Sequence, residues 1–126
     1  MGELEAYFKV IYQPFGHHTE AQWRHMAETS SRRLPSGKFT THYDPTIVRQ
    51  LFVFPDDYEQ WPHWDAIDVP TLVLHGVDSD LLLPDIAKEM SERGPKAQVI
   101  DIPGCGHTPA LNEPEQIKVV SDFLDA

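Results

Sequence analysis

The pattern that most constrains this chain lies between Val69 and Pro109. Val69 to His75 is a short apolar, β-rich run that stops at Gly76 and opens into an acidic turn, Val77-Asp78-Ser79-Asp80. From about Pro84 to Glu92 the apolar positions Ile86, Ala87 and Met90 predict a helix, which Arg93-Gly94-Pro95 should end. A second β-rich run, Ala97 to Ile102, finishes in Pro103-Gly104-Cys105-Gly106-His107. Asn112-Glu113-Pro114-Glu115 is expected to cap a last helix with Ile117, Val120 and Leu124 on one face. Two β runs joined through a helical segment predict a right-handed crossover and a parallel sheet. A carboxylate and an imidazole then lie just past the C-terminal ends of neighbouring strands, the edge where ligands and chemistry collect in open α/β sheets.

Two parallel strands are too few for an independent sheet, because parallel strands need neighbours and cover on both faces. Three sources of further strands are open at this point: the segment Phe39–Tyr43, another chain, or sequence outside these 126 residues.

The first half is mostly helical in pattern. Leu4, Tyr7, Phe8 and Ile11 form an amphipathic stripe, ended by Pro14 and Gly16. Thr19 and Gln22 have the spacing of a capping box, and the helix behind them is expected to reach about Arg33. Leu34-Pro35-Ser36-Gly37-Lys38 reads as a turn, and Phe39 to Tyr43 as a short strand or extended segment. Asp44-Pro45 marks another helix start, followed by Ile47, Val48, Leu51 and Phe52. The stretch from Phe54 to Asp65 reads as irregular, with one helical turn around Tyr58 to Trp61. The division expected is therefore 1–66, helical, and 67–126, βαβα.

Charge and cysteine content narrow the partners. The net charge is −10, with 6 basic against 9 acidic residues over 1–66 and 4 against 11 over 67–126. Nucleic acid and anionic membrane both ask for a basic patch, so neither is expected as a partner. The single cysteine, Cys105, excludes an internal disulfide framework and fits a reducing, cytoplasmic compartment. The first residues carry neither the basic start nor the apolar core of a secretory leader, and no run reaches transmembrane length.

A histidine can act as a general base only if something holds its tautomer and stabilises the imidazolium it becomes. Asp80 and His107 are the residues that fit, with Asp78 as the competing acid. At this point the chain resembles the C-terminal half of an α/β-hydrolase. The resemblance rests on Pro70-Thr71-Leu72-Val73-Leu74-His75-Gly76, on Ser79-Asp80-Leu81-Leu82, and on Pro103-Gly104-Cys105-Gly106-His107-Thr108-Pro109. It implies Asp80 as the acid and His107 as the base of a Ser, Asp, His series, in that chain order. The region from the first helix through Gln22-Trp23-Arg24-His25 to His42-Tyr43-Asp44-Pro45 resembles the cap inserted before the acid strand in these hydrolases. The implied fold is thus the C-terminal portion of an α/β-hydrolase sheet, two parallel strands with flanking helices, preceded by a helical cap.

The departure from that pattern is the nucleophile. None of the six serines, Ser30, Ser31, Ser36, Ser79, Ser91 and Ser121, sits in Gly-x-Ser-x-Gly on a strand–turn–helix. Cys105 lies in the base's own loop, whereas nucleophile and base ordinarily arrive from different elements, so it reads as a small residue packed under that loop. His17, His18, His25 and His63 lack the spacing of a zinc site, and no metal or other cofactor is implied. Trp23, Trp61 and Trp64 fit pocket lining and core packing equally well. The expectation is a hydrolase of ester or related acyl bonds on a small-molecule substrate, truncated and inactive alone. The alternative is a non-catalytic module that self-associates. A homo-oligomer or pairing with a missing N-terminal half is expected, a stable oligomer being the mark of the second reading.

Overall fold

A computed structural model describes all 126 residues. The chain forms two compact units, one of residues 1–13 and 18–60, the other of 14–17 and 61–126.

In the first unit α1 (Gly2–Ile11) and α2 (Glu20–Thr29) pack on one another around Phe8, Trp23 and Ala27, all buried. The capping box forms as its spacing predicts. Thr19 N–H donates to Gln22 Oε1 at 2.7 Å, and Thr19 Oγ1 accepts from Gln22 N–H at 3.3 Å. Helix α2 does not reach Arg33. Thr29 turns its hydroxyl back onto the His25 carbonyl, and Ser31–Arg33 becomes strand β1, paired antiparallel with β2 (Phe39–Thr41). The helix propensity of two arginines loses to the pairing that the Gly37 turn makes available, with Gly37 at φ +82°. Phe39–Tyr43 therefore supplies a hairpin strand and adds nothing to the parallel sheet. A 3₁₀ turn (Pro45–Arg49) starts at Asp44, whose carboxylate accepts from Thr46 N–H at 2.9 Å, and runs into α3 (Gln50–Val53). A second 3₁₀ turn (Pro55–Tyr58) lies in the stretch expected to be irregular.

After residues 14–17 the second unit continues with α4 (Trp61–Asp65), so the helical turn anticipated at Tyr58 to Trp61 resolves into two pieces on either side of Glu59 and Gln60. Strand β3 (Leu72–Gly76), α5 (Pro84–Glu92), β4 (Gln98–Ile102) and α6 (Pro114–Leu124) follow. β3 and β4 are parallel, in the register Leu72↔Gln98 through Gly76↔Ile102, and form a two-stranded sheet. Both helices open on proline at their first position, where the absent N–H costs nothing. The N-cap residue Glu113 makes no capping bond through its side chain, and Asn112 Nδ2 donates to the His17 carbonyl at 2.8 Å.

The C-terminal end of α5 is tied to α4 by Arg93. Its guanidinium lies 4.4 Å from the Trp61 ring, bonds both oxygens of Asp65, and donates to Glu89 at 2.6 Å. Trp64 Nε1 donates to the Arg93 carbonyl at 3.2 Å. These anchors fix where the β3–α5–β4 unit begins and leave the opposite, C-terminal edge of its strands to the loops. No helix is long and apolar enough to cross a membrane.

Candidate active site

The loops after β3 and β4 are bound to each other chiefly by backbone. Val77 N–H donates to the Ile102 carbonyl and Asp78 N–H to the Cys105 carbonyl, each at 3.0 Å. Gly106 N–H donates to the Pro14 carbonyl. Glycine is obligatory where these strands of backbone cross. A Cβ on Gly76 would stand 1.8 Å from the Gly106 carbonyl oxygen, and one on Gly106 would stand 2.9 Å from the Pro14 carbonyl oxygen. The end of β3 and the histidine loop are therefore pressed together with no space for a side chain between them.

That crossing brings the acidic turn to His107. Ser79 Oγ lies 3.3 Å from His107 Nδ1 and also accepts from Leu81 N–H at 3.3 Å and Leu82 N–H at 2.9 Å. A hydroxyl has one proton and two acceptor positions. With both acceptor positions taken by backbone, its proton points to His107 Nδ1, which leaves the ring's own proton on Nε2. A general base needs the opposite tautomer, with Nδ1–H held by a carboxylate and Nε2 free to take a proton. Asp80 and Asp78 are both exposed, in the same turn as Ser79, and the partner on Nδ1 is the Ser79 hydroxyl rather than either carboxylate. Ser79 is thus a neighbour of His107 that sequence reading did not assign. Its signal was present in retrospect: a serine followed by two backbone amides at the start of a tight turn is an ST-turn.

Cys105 is 3% exposed, its Sγ donating to the Ile102 carbonyl at 3.5 Å. Burial, and secondarily the Asp78 charge, hold its thiol above the ordinary cysteine range. The thiolate that would attack an acyl group is disfavoured there, and the residue packs under the loop as a small apolar side chain.

A second pair lies on the strands themselves and escaped the sequence reading altogether. His75 and Asp101 are partners across the parallel register, with His75 Nδ1 2.7 Å from Asp101 Oδ1. His75 Nε2 lies 3.0 Å from the Leu82 carbonyl, so the ring bridges β4 and the acidic loop. Finding it needs the register between two runs, which their composition does not contain.

The comparisons with known proteins agree with this geometry. Residues 2–118 match the model of the alpha/beta hydrolase family. A 3-hydroxybutyrate-oligomer hydrolase from Cupriavidus necator is 30% identical over 128 residues, covering 94% of this chain and 44% of that protein. Among solved structures, a putative hydrolase from Rickettsia typhi superposes with a TM-score of 0.80 at 26% identity, over 98% of this chain and 42% of that one. An alpha/beta hydrolase from Novosphingobium aromaticivorans gives 0.79 at 26% identity, over 98% and 45%. The chain thus spans less than half the length of the relatives it matches. Parallel β3 and β4 with their helices, glycine-crossed loops ending in histidine, and a family match over nearly the whole chain lead to one conclusion: this chain belongs to the alpha/beta hydrolase family.

Proposed function

We propose that the chain carries the acid and the base of a hydrolase of ester or related acyl bonds, with Asp80 as acid, His107 as base and Asp78 as the alternative acid. The nucleophilic serine comes from outside these residues. The observation that carries this reading is the joining of the acidic turn to His107 at the C-terminal edge of β3 and β4. In the complete site, a carboxylate from that turn replaces the Ser79 hydroxyl at His107 Nδ1. Nε2 then takes the serine proton during attack on the acyl carbon and returns it to the leaving group. The 3-hydroxybutyrate oligomer named for the Cupriavidus necator relative makes an oligomeric hydroxy-acid ester the first substrate to try. Residues 1–66 serve as the cap of this site, 67–126 as part of its core, in a cytoplasmic protein without a cofactor.

Acid and base without nucleophile and oxyanion donors act as parts of a unit and should be nearly inert alone. Co-expression with the part of the Cupriavidus necator relative that this chain does not cover tests the assignment. Turnover should appear in the pair and fall about 10⁴-fold in Asp80→Asn. Retention of full turnover in Asp80→Asn, with loss in Asp78→Asn, would transfer the role of acid to Asp78.

The second reading is a self-associating module, favoured by Leu81 and Leu124, which are 70% and 75% exposed on a unit with a two-stranded sheet. It predicts a stable oligomer in sedimentation; a monomer at high concentration would count against it.

A further inference from the structure

The bridge made by His75 is not used by the mechanism above. The residue is 4% exposed, yet both of its ring nitrogens are engaged: Nδ1 at 2.7 Å from Asp101 Oδ1 and Nε2 at 3.0 Å from the Leu82 carbonyl. Carboxylate and carbonyl oxygens are acceptors only. A neutral imidazole has a single N–H, and whichever partner faced the bare nitrogen would present one lone pair to another. Both contacts are hydrogen bonds only when the ring carries two protons.

The charged groups around the ring agree with that state. Asp101, on β4, is the carboxylate in contact with it. The one cation facing the same cleft of about 340 Å³ is Lys88 of α5, which is paired with Glu92. The remaining lining, Val77, Pro84, Ala87 and Val99, does not titrate. On the loop itself the ionisable side chains are Asp78 and Asp80, both exposed. Negative charge thus outweighs positive charge near a ring whose partners both accept.

We propose that His75 is a positioning residue. As an imidazolium it ties the Leu82 carbonyl of the acidic loop to the Asp101 carboxylate on the neighbouring strand, so that the loop's place beside His107 depends on the ring's second proton. The role in catalysis rests on the reading that this loop supplies the acid; the tether itself does not. Loss of the second proton keeps the Asp101 bond through Nδ1–H and sets a lone pair against Leu82, which frees residues 79–82 from the strands.

Nitrogen-15 NMR of the 126-residue chain, titrated between about pH 5 and 8 and beyond, reads the ring and the loop together. Both ring nitrogens should be protonated when the loop is held, and the amides of Ser79 to Leu82 should shift at the same midpoint as the His75 ring. Asp101→Asn should move both midpoints to lower pH together, while Lys88→Gln moves neither toward lower pH. A His75 ring with a single proton throughout, or loop amides indifferent to it, overturns the proposal. In the complemented pair, Asp101→Asn should shift the alkaline limb of the kcat profile downward with KM little changed. Coupled NMR shifts in a pair that shows no turnover would support the tether and count against the hydrolase reading instead.

Discussion

The loops around Gly76 and the segment around Phe52 treat their surroundings in opposite ways. At Gly76 and Gly106 backbone meets backbone so closely that a single added carbon has no place. Between Pro45 and Tyr58, Ile47, Val48, Leu51, Phe52, Val53 and Phe54 are all exposed, Phe52 to 81%. Both stretches are ordered by short local elements, yet one is specified by contacts distant in sequence and the other by turns that start at Asp44 and Pro55. The lesson is that composition misleads in both places. Small residues mark the tightest packing in this molecule, and the richest apolar run is largely uncovered.

The contrast between the two stretches is largest at Gly76. Gly76→Ala should destabilise the chain by about 3 kcal/mol or more, since overpacking against backbone cannot relax by a rotamer change. Gly2→Ala, with nothing within 4 Å of the new carbon, should be neutral or slightly stabilising. Denaturant midpoints of the two variants check both; equal effects would mean that the crossing is not tight in solution. Next in size, Thr19→Ala removes the capping box of α2 and should cost about 1 kcal/mol, read as a lower midpoint at unchanged slope.

A pH-dependent effect belongs to the anchor at Arg93. The guanidinium holds the Asp65 carboxyl below the ordinary aspartate range. The group's folded value is depressed, so its stabilisation is present above the unfolded value and fades as pH falls through the folded one. Thermal melts of the wild type and Asp65→Asn should differ at neutral pH and converge in acid below the usual carboxylate range. A gap that persists in strong acid would assign the effect to something other than the ion pair. Smallest of all, Phe52→Ser should stay within about 0.5 kcal/mol of wild type, as expected for a substitution on an exposed surface. A large loss there would show that the segment is covered in solution.

Much of this was legible in the residues. The turn glycines, Pro84 and Pro114 as helix starts, and the Thr19 cap placed the elements because each acts within a few positions of itself. Helix α2 stops four residues short of Arg33 because Ser31–Arg33 pairs with residues six to ten positions away, and strand pairing overrides local propensity. The acidic turn and the histidine loop could be placed past the strand ends from their own residues. Ser79 at Nδ1 could not, since its position depends on how two loops cross. The His75–Asp101 contact needed a register that neither strand encodes by itself.

On the proposed function, Asp80 and His107 are an acid and a base whose chemistry waits on a nucleophile from outside these residues. The decisive measurement is hydrolysis of an activated ester by the 126-residue chain alone, and again with the uncovered part of the Cupriavidus necator relative supplied. The expected result is a background rate for the chain alone, and turnover in the pair that His107→Ala abolishes. Efficient hydrolysis by the chain alone, unchanged in His107→Ala, would contradict it.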